Sequence, residues 1–148
     1  MYSLNSRLVV FDENSKLAEI EHTMLKDYLE PFIVNAIHDD RGKILHFSSE
    51  DCHCSQYSNK HIADIDRLAQ KNSFEVLNIQ LKEHEVIPAT PSVAILNNIG
   101  DVIYFGPYGE GLACTKTEGY AQTVVHNYLK GFSSNLIIKE AKGCYCAV

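Results

Sequence analysis

The sequence carries its clearest chemical signal in cysteine, at positions 52, 54, 114, 144 and 146. Four of these form two Cys-x-Cys pairs, in Asp51-Cys52-His53-Cys54 and Gly143-Cys144-Tyr145-Cys146, and Cys114 is left over. An odd count does not close into a simple disulfide framework, so the two tight pairs point to redox chemistry or metal binding more than to stapling. Thiolate is the reactive form of cysteine, and the unpaired N–H groups and partial positive charge of a helix N-terminus favour it. The pattern puts Cys52 where such a helix begins. A protonated His53 would add to the effect, whereas Glu50 and Asp51 oppose a further negative charge. A Cys52–Cys54 disulfide would close a small, strained ring, easily reduced and suited to being passed on. Cys144 and Cys146 repeat the spacing in a tail that could fold back and exchange with the first pair, with Cys114 as a relay or resolving thiol.

The same sulfurs admit two other uses. Thiolates at Cys52, Cys54, Cys144 and Cys146, with Cys114 or His53 nearby, would supply the soft ligands that zinc or Cu(I) prefers, although Cys-x-x-Cys is the commoner zinc spacing. Alternatively, both pairs, or one pair with Cys114, form inert disulfides that fix loops. His46 and His61 flank the first pair along the chain, and His46, within an apolar run, reads as a core histidine. Tyr108 and Glu110 lie in a glycine-rich loop over residues 106–111, where glycine serves backbone conformation, so they shape a turn more readily than a cleft. That loop lacks a phosphate-binding pattern. Ser55 and Ser58, near His53 and His61, have no Gly-x-Ser-x-Gly elbow around them.

The elements that must position these cysteines follow from apolar periodicity. Arg7 to Phe11 reads as a short strand. Ser15 to Tyr28, with apolar residues at 17, 20, 24, 25 and 28, reads as a helix ended by Pro31. Lys43 to Phe47 follows the turn Asp39-Asp40-Arg41-Gly42 and reads as a buried strand. A helix is predicted from about Cys54 to Lys71, with Asp51 as N-cap and an apolar face of Tyr57, Ile62, Ile65, Leu68 and Ala69. Phe74 to Leu81 is the next strand. Ser92 to Leu96 and Asp101 to Phe105 flank Asn97-Asn98-Ile99-Gly100, the pattern of a hairpin. A last helix runs from about Thr117 to Lys130, capped by Gly131, and Leu136 to Lys139 reads as a short extra strand. The order β-α-β-α-β-β-α implies an α/β domain: one mixed sheet with helices on both faces.

Bulk composition bounds the rest. At 148 residues the chain suits a single domain, 1–148, with a cysteine-containing tail over about 132–148. A chain this long buries about 70% of its unfolded surface and needs no disulfide merely to fold. The formal charge of -6 and the absence of a Lys/Arg cluster argue against nucleic acid as a partner. No apolar run approaches the ~18 residues of a membrane span, and no signal peptide is evident.

The order of elements resembles the thioredoxin fold over roughly residues 7 to 131. Two local features carry the likeness. One is the cysteine pair directly after the buried strand Ile44-Leu45-His46-Phe47. The other is Ile87-Pro88-Ala89-Thr90-Pro91-Ser92, which is similar to that family's cis-proline segment, with Pro91 lying 39 positions after Cys52. The chain departs from the family in having only His53 between the cysteines, without the aromatic residue or Gly-Pro filler. It more closely resembles an uncharacterised group of bacterial thioredoxin-like proteins that share the Gly-Cys-aromatic-Cys tail. The resemblance implies a thiol–disulfide oxidoreductase in which Cys52 attacks and Cys54 resolves, while Thr90 and a cis Pro91 pair strand-like with a substrate chain. It implies protein thiols or disulfides as partners and no cofactor, with zinc or copper in the metal alternative. In that group the domain usually follows an N-terminal membrane segment, implying a periplasmic or membrane-anchored domain. Without such a segment it would be cytoplasmic.

Overall fold

Alternation along the strand Lys43–Ser48 divides the interior in two, because successive side chains point to opposite faces. Leu45 and Phe47 join one apolar cluster, with Leu25, Leu29, Ala94 and Phe105; Ile44 joins the other, with Ile65, Ala69, Val93, Ala121 and Val125. A computed structural model describes residues 9–34, 40–50, 52–108, 120–132 and 135–148. Its strands are β1 (Val9–Val10), β2 (Lys43–Ser48), β3 (Glu75–Gln80), β4 (Ala89–Thr90), β5 (Ser92–Leu96), β6 (Val102–Gly106), β7 (Leu136–Ile137), β8 (Lys142–Gly143) and β9 (Cys146–Ala147); its α-helices are α1 (His22–Ile33), α2 (Asn59–Lys71) and α3 (Tyr120–Leu129).

The main sheet has five strands in the order β3-β2-β5-β6-β7. β2 runs parallel to β3 and antiparallel to β5; β6 runs antiparallel to β5 and parallel to β7. The expected mixed sheet is therefore present, with α1 on one face and α2 and α3 on the other. The β5–β6 turn is held by Asn97, whose Oδ1 accepts the N–H groups of Ile99 (3.1 Å) and Asp101 (2.9 Å). Gly100 supplies the left-handed residue of that turn, with φ of 90°. Gly131, with φ of 93°, ends α3: its N–H reaches Tyr128 O at 3.0 Å and that of Phe132 reaches Asn127 O at 2.9 Å, a Schellman pair.

Three sequence expectations are corrected. The first helix begins at His22, not Ser15, and Pro31 lies inside its last turn. The cause is Asp12, whose carboxylate accepts the N–H groups of Lys16 and Leu17, both at 2.7 Å, and so commits residues 12–17 to turns. Met24, assigned to the apolar face, is exposed, and Leu29 takes that place. The segment after Cys52 is first a 3-10 helix over His53–Ser58, and the α-helix starts only at Asn59. Two further pairings went unread: β1 with β8 and β4 with β9, both antiparallel. The Asp51 cap, Cys114, Glu110 and Thr117 lie outside the described residues.

Candidate functional site

Cys52 lies four residues past the end of β2 and caps the 3-10 helix that leads into α2. The structure brings the two Cys-x-Cys pairs together, but neither cysteine bonds within its own pair. Cys52 is bonded to Cys146 across 94 residues, and Cys54 to Cys144 across 90. The Cα–Cα separations of 5.9 and 5.4 Å lie within the normal disulfide range. The expected Cys52–Cys54 ring is therefore not the bond present. The cause is the tail, which folds back alongside the first pair. The Sγ atoms of Cys52, Cys54 and Cys146 lie within 4.8 Å of one another, and His53 falls in a second such group with Cys54 and Cys144. Cys54 and Cys144 are buried, Cys52 and Cys146 half-buried, and His53 exposed.

The proline loop meets this cluster. The Thr90–Pro91 peptide bond is cis, as the sequence suggested. Cys52 Sγ lies 3.6 Å from Thr90 O; this is a sulfur–oxygen contact while Cys52 is in a disulfide, and a reduced thiol there would donate to that carbonyl. Thr90 is fully buried, and its hydroxyl pairs with Ser49 Oγ at 2.8 Å, tying the loop to the end of β2. His53 Nε2 stands 3.8 Å from Cys54 Sγ.

Several residues that sequence reasoning missed hold the tail and the loop in place. Lys16 Nζ donates to Val148 O at 2.5 Å and to His84 O at 2.8 Å. His84 Nδ1 accepts the N–H groups of Val86 and Ile87, both at 3.0 Å, which fixes the segment entering Pro88. Burial and the Lys16 charge, against a smaller opposite effect of Glu85, lower the His84 pKa, consistent with an imidazole that must accept. Tyr145 packs edge-on against Phe11, with ring centroids 5.3 Å apart. The Lys16 and Tyr145 contacts join residues far apart in the chain, so no local pattern announces them.

The other sequence candidates resolve as structure. His46 is a buried core histidine, as expected: Nε2 donates to Asp66 Oδ1 at 2.8 Å and Nδ1 accepts the Tyr108 hydroxyl. Desolvation lowers its pKa in spite of Asp66, and burial pushes the Tyr108 phenol well up, so that hydroxyl stays a donor. Tyr108 is thus a core residue rather than part of a cleft. His61 is buried between α2 and α3, where its Nδ1 meets Gln122 Nε2 at 2.8 Å. Neither His46 nor His61 belongs to a potential metal group among the described residues.

A mixed α/β sheet carrying a four-cysteine cluster beside a proline loop defines the class. Residues 21–148 match the family model described as a domain of unknown function (DUF6436), and the chain belongs to that family. No curated protein matches it. A hypothetical protein from Sinorhizobium meliloti 1021 is similar in structure, with 11% identity, a TM-score of 0.56, and coverage of 81% of this chain and 82% of that one; the likeness is one of fold. An uncharacterized conserved protein from Geobacillus kaustophilus shares 10% identity with a TM-score of 0.43, covering 78% and 80%. No helix among the described residues is long and apolar enough to cross a membrane.

Proposed function

We propose that this chain is a thiol–disulfide redox protein of thioredoxin-like design whose working unit is the interlocked Cys52–Cys146 and Cys54–Cys144 pair. The observation that carries this reading is the position of Cys52 Sγ, at 3.6 Å from Thr90 O beside the cis Pro91, within a cluster of four sulfurs. Four convergent cysteines can store four electrons. An incoming dithiol reduces one disulfide by attacking one of its sulfurs, expelling the other as thiolate, and then closing on itself. Each disulfide opened takes up two electrons and two protons. In the reverse sense, Cys52 thiolate attacks a partner disulfide and forms a mixed disulfide. The partner's other sulfur leaves with the electron pair and is protonated. Cys54, whose sulfur lies within 4.8 Å of that of Cys52, then resolves the bond and releases the partner as a dithiol. Thr90 and Pro91 position the partner chain. Cys144 and Cys146 are accessory thiols: one exchanges with the Cys52–Cys54 bond to give a cross-tail disulfide, and the two thiols left over close into the second by giving two electrons and two protons to a second partner disulfide. Cys114 keeps the accessory role the sequence suggests.

The test is a redox titration against glutathione buffers, with each cysteine mapped by differential alkylation and mass spectrometry. Both cross-tail disulfides should open and close reversibly, and Cys52→Ser should abolish disulfide exchange with an insulin substrate. Exchange that survives Cys52→Ser would remove the assignment.

A second reading has its own support. The two groups Cys52–Cys54–Cys146 and His53–Cys54–Cys144 would, once reduced, present thiolates and an imidazole suited to zinc or Cu(I). The reduced protein titrated with zinc under native mass spectrometry decides this: retention of one ion per chain, lost on Cys54→Ser, favours a metal-binding or delivery module.

A further inference from the structure

The tail covers the backbone that a docking strand would need. β4 is two residues long and pairs with β9, so that Ala89 faces Ala147 and Thr90 faces Cys146. The pairing continues one step further, where Val148 N–H donates to Pro88 O at 3.0 Å. Ala89 and Thr90 are 3% and 0% exposed, although they lie outside the five-stranded sheet. Uncovered, such an edge is a template for an extended chain, because its N–H and C=O groups want partners. Here the chain has filled the edge with its own residues and locked them by two disulfides. The residue opposite Thr90 is Cys146, the one bonded to Cys52.

We propose that residues 145–148 are a tethered strand standing in for an extended, cysteine-bearing segment of a partner protein, and that reduction of both disulfides hands this edge from tail to partner. The proposal rests on the redox reading above and adds the partner's chemistry and the regulation of the site. The tail describes what fits. A cysteine must lie opposite Thr90. Tyr145 and Val148 are half-buried against the core on the α1 face, so the edge favours an aromatic residue before that cysteine and an aliphatic one two places after it. Ala147 is exposed, and its position sets no demand. Lys16, which donates to Val148 O, would take the partner's corresponding carbonyl.

While both disulfides are closed, the edge is occupied and Cys52 is blocked by Cys146. Two dithiol equivalents open both, each leaving as a disulfide after giving up two electrons and two protons. The tail, no longer held by disulfides but by backbone pairing, Lys16 and the packing of Tyr145 and Val148, exchanges with a partner strand present in excess. Cys52 thiolate meets the partner's disulfide sulfur, forms the mixed disulfide, and sends the electron pair out on the partner's other sulfur. Cys54 thiolate then attacks Cys52 in the mixed disulfide and releases the partner as a dithiol; Cys146 thiolate in turn displaces Cys54 from Cys52, and with Cys52–Cys146 formed the tail reoccupies the edge and expels the product.

The experiment uses the full chain. Fluorescein-labelled Gly-Tyr-Ser-Ala-Val, in which serine cannot exchange, is titrated by anisotropy against oxidised and reduced protein, with circular dichroism in parallel. Reduced protein should bind it saturably and at least tenfold more tightly than oxidised protein. The same peptide with N-methylvaline, which lacks the N–H equivalent to that of Val148, should bind at least fivefold more weakly. Loosening the tail by Tyr145→Ala together with Val148→Ala should tighten peptide binding severalfold. Equal binding in both redox states, indifference to N-methylation, or unfolding on reduction would overturn the proposal. The redox reading is read separately, from release of 5-thio-2-nitrobenzoate when reduced protein meets its mixed disulfide with glutathione. Reaction there without peptide preference would sink the docking strand alone.

Discussion

Removing the disulfides pair by pair should reveal strongly non-additive stability, and the size of the coupling follows from the topology. In the chain-entropy treatment, a cross-link contributes in proportion to the logarithm of the loop that it closes. Cys52–Cys146 closes a loop of 94 residues and Cys54–Cys144 one of 90, so either bond alone would contribute about 4.7 kcal/mol. With one bond intact, however, the second closes only the short ring formed by the two Cys-x-Cys segments, on the order of five residues, and adds about 2 kcal/mol. The double change Cys52→Ser with Cys146→Ser should therefore cost about 2 kcal/mol, as should Cys54→Ser with Cys144→Ser, while the quadruple change costs about 7 kcal/mol. Had the cysteines paired locally, as 52 with 54 and 144 with 146, each bond would close about three residues and contribute about 1.6 kcal/mol, additively. Guanidinium unfolding of the oxidised wild type, the two double variants and the quadruple variant measures all four corners of this cycle. A quadruple loss no larger than the sum of the two double losses would refute the interlocked topology; local pairing gives that result, because either double change then breaks both local bonds.

Two further outcomes follow from the packing. Burial lowers the His46 pKa, so below about pH 6.5 the unfolded chain takes up a proton that folded His46 refuses; the stability present above the ordinary histidine pKa is lost as pH falls towards the folded value. His46→Gln should flatten the fall in melting temperature between pH 7 and pH 5, leaving the contribution that His84 makes in the same direction, and an unchanged slope would count against this account. At Gly106 an added Cβ would lie 3.0 Å from Ile138 Cβ and from the Tyr104 hydroxyl, so Gly106→Ala should destabilise by about 1–3 kcal/mol in urea unfolding, and a neutral result would show that β7 can shift away.

The comparison between chain and structure separates by range. The hairpin around Asn97 and Gly100, the buried strand β2, the face of α2 and the stop at Gly131 were all legible, because each is set by contacts a few residues apart. The first helix was misplaced for a reason that is also local but not periodic. Asp12 offers its carboxylate to the backbone of Lys16 and Leu17, and this outweighs the apolar spacing over 15–28. The candidate site was half legible. The residue types, the approach of Cys52 to the proline loop and the cis bond before Pro91 could be anticipated from motif order.

By itself, then, the sequence determined the inventory: two pairs of sulfurs, the strand and helix that carry the first pair, and a proline segment to oppose it. Only the tertiary structure decided which sulfurs bond and what lies against β4. Spacing of two residues describes neighbours along the chain, whereas a disulfide forms between atoms that the folded backbone brings into contact. That choice was made by the tail pairing antiparallel with Ala89 and Thr90, and by Lys16 and Phe11 receiving Val148 and Tyr145. Each of these contacts joins residues far apart in the chain, and long-range pairing of this kind leaves no periodic trace in the order of residues.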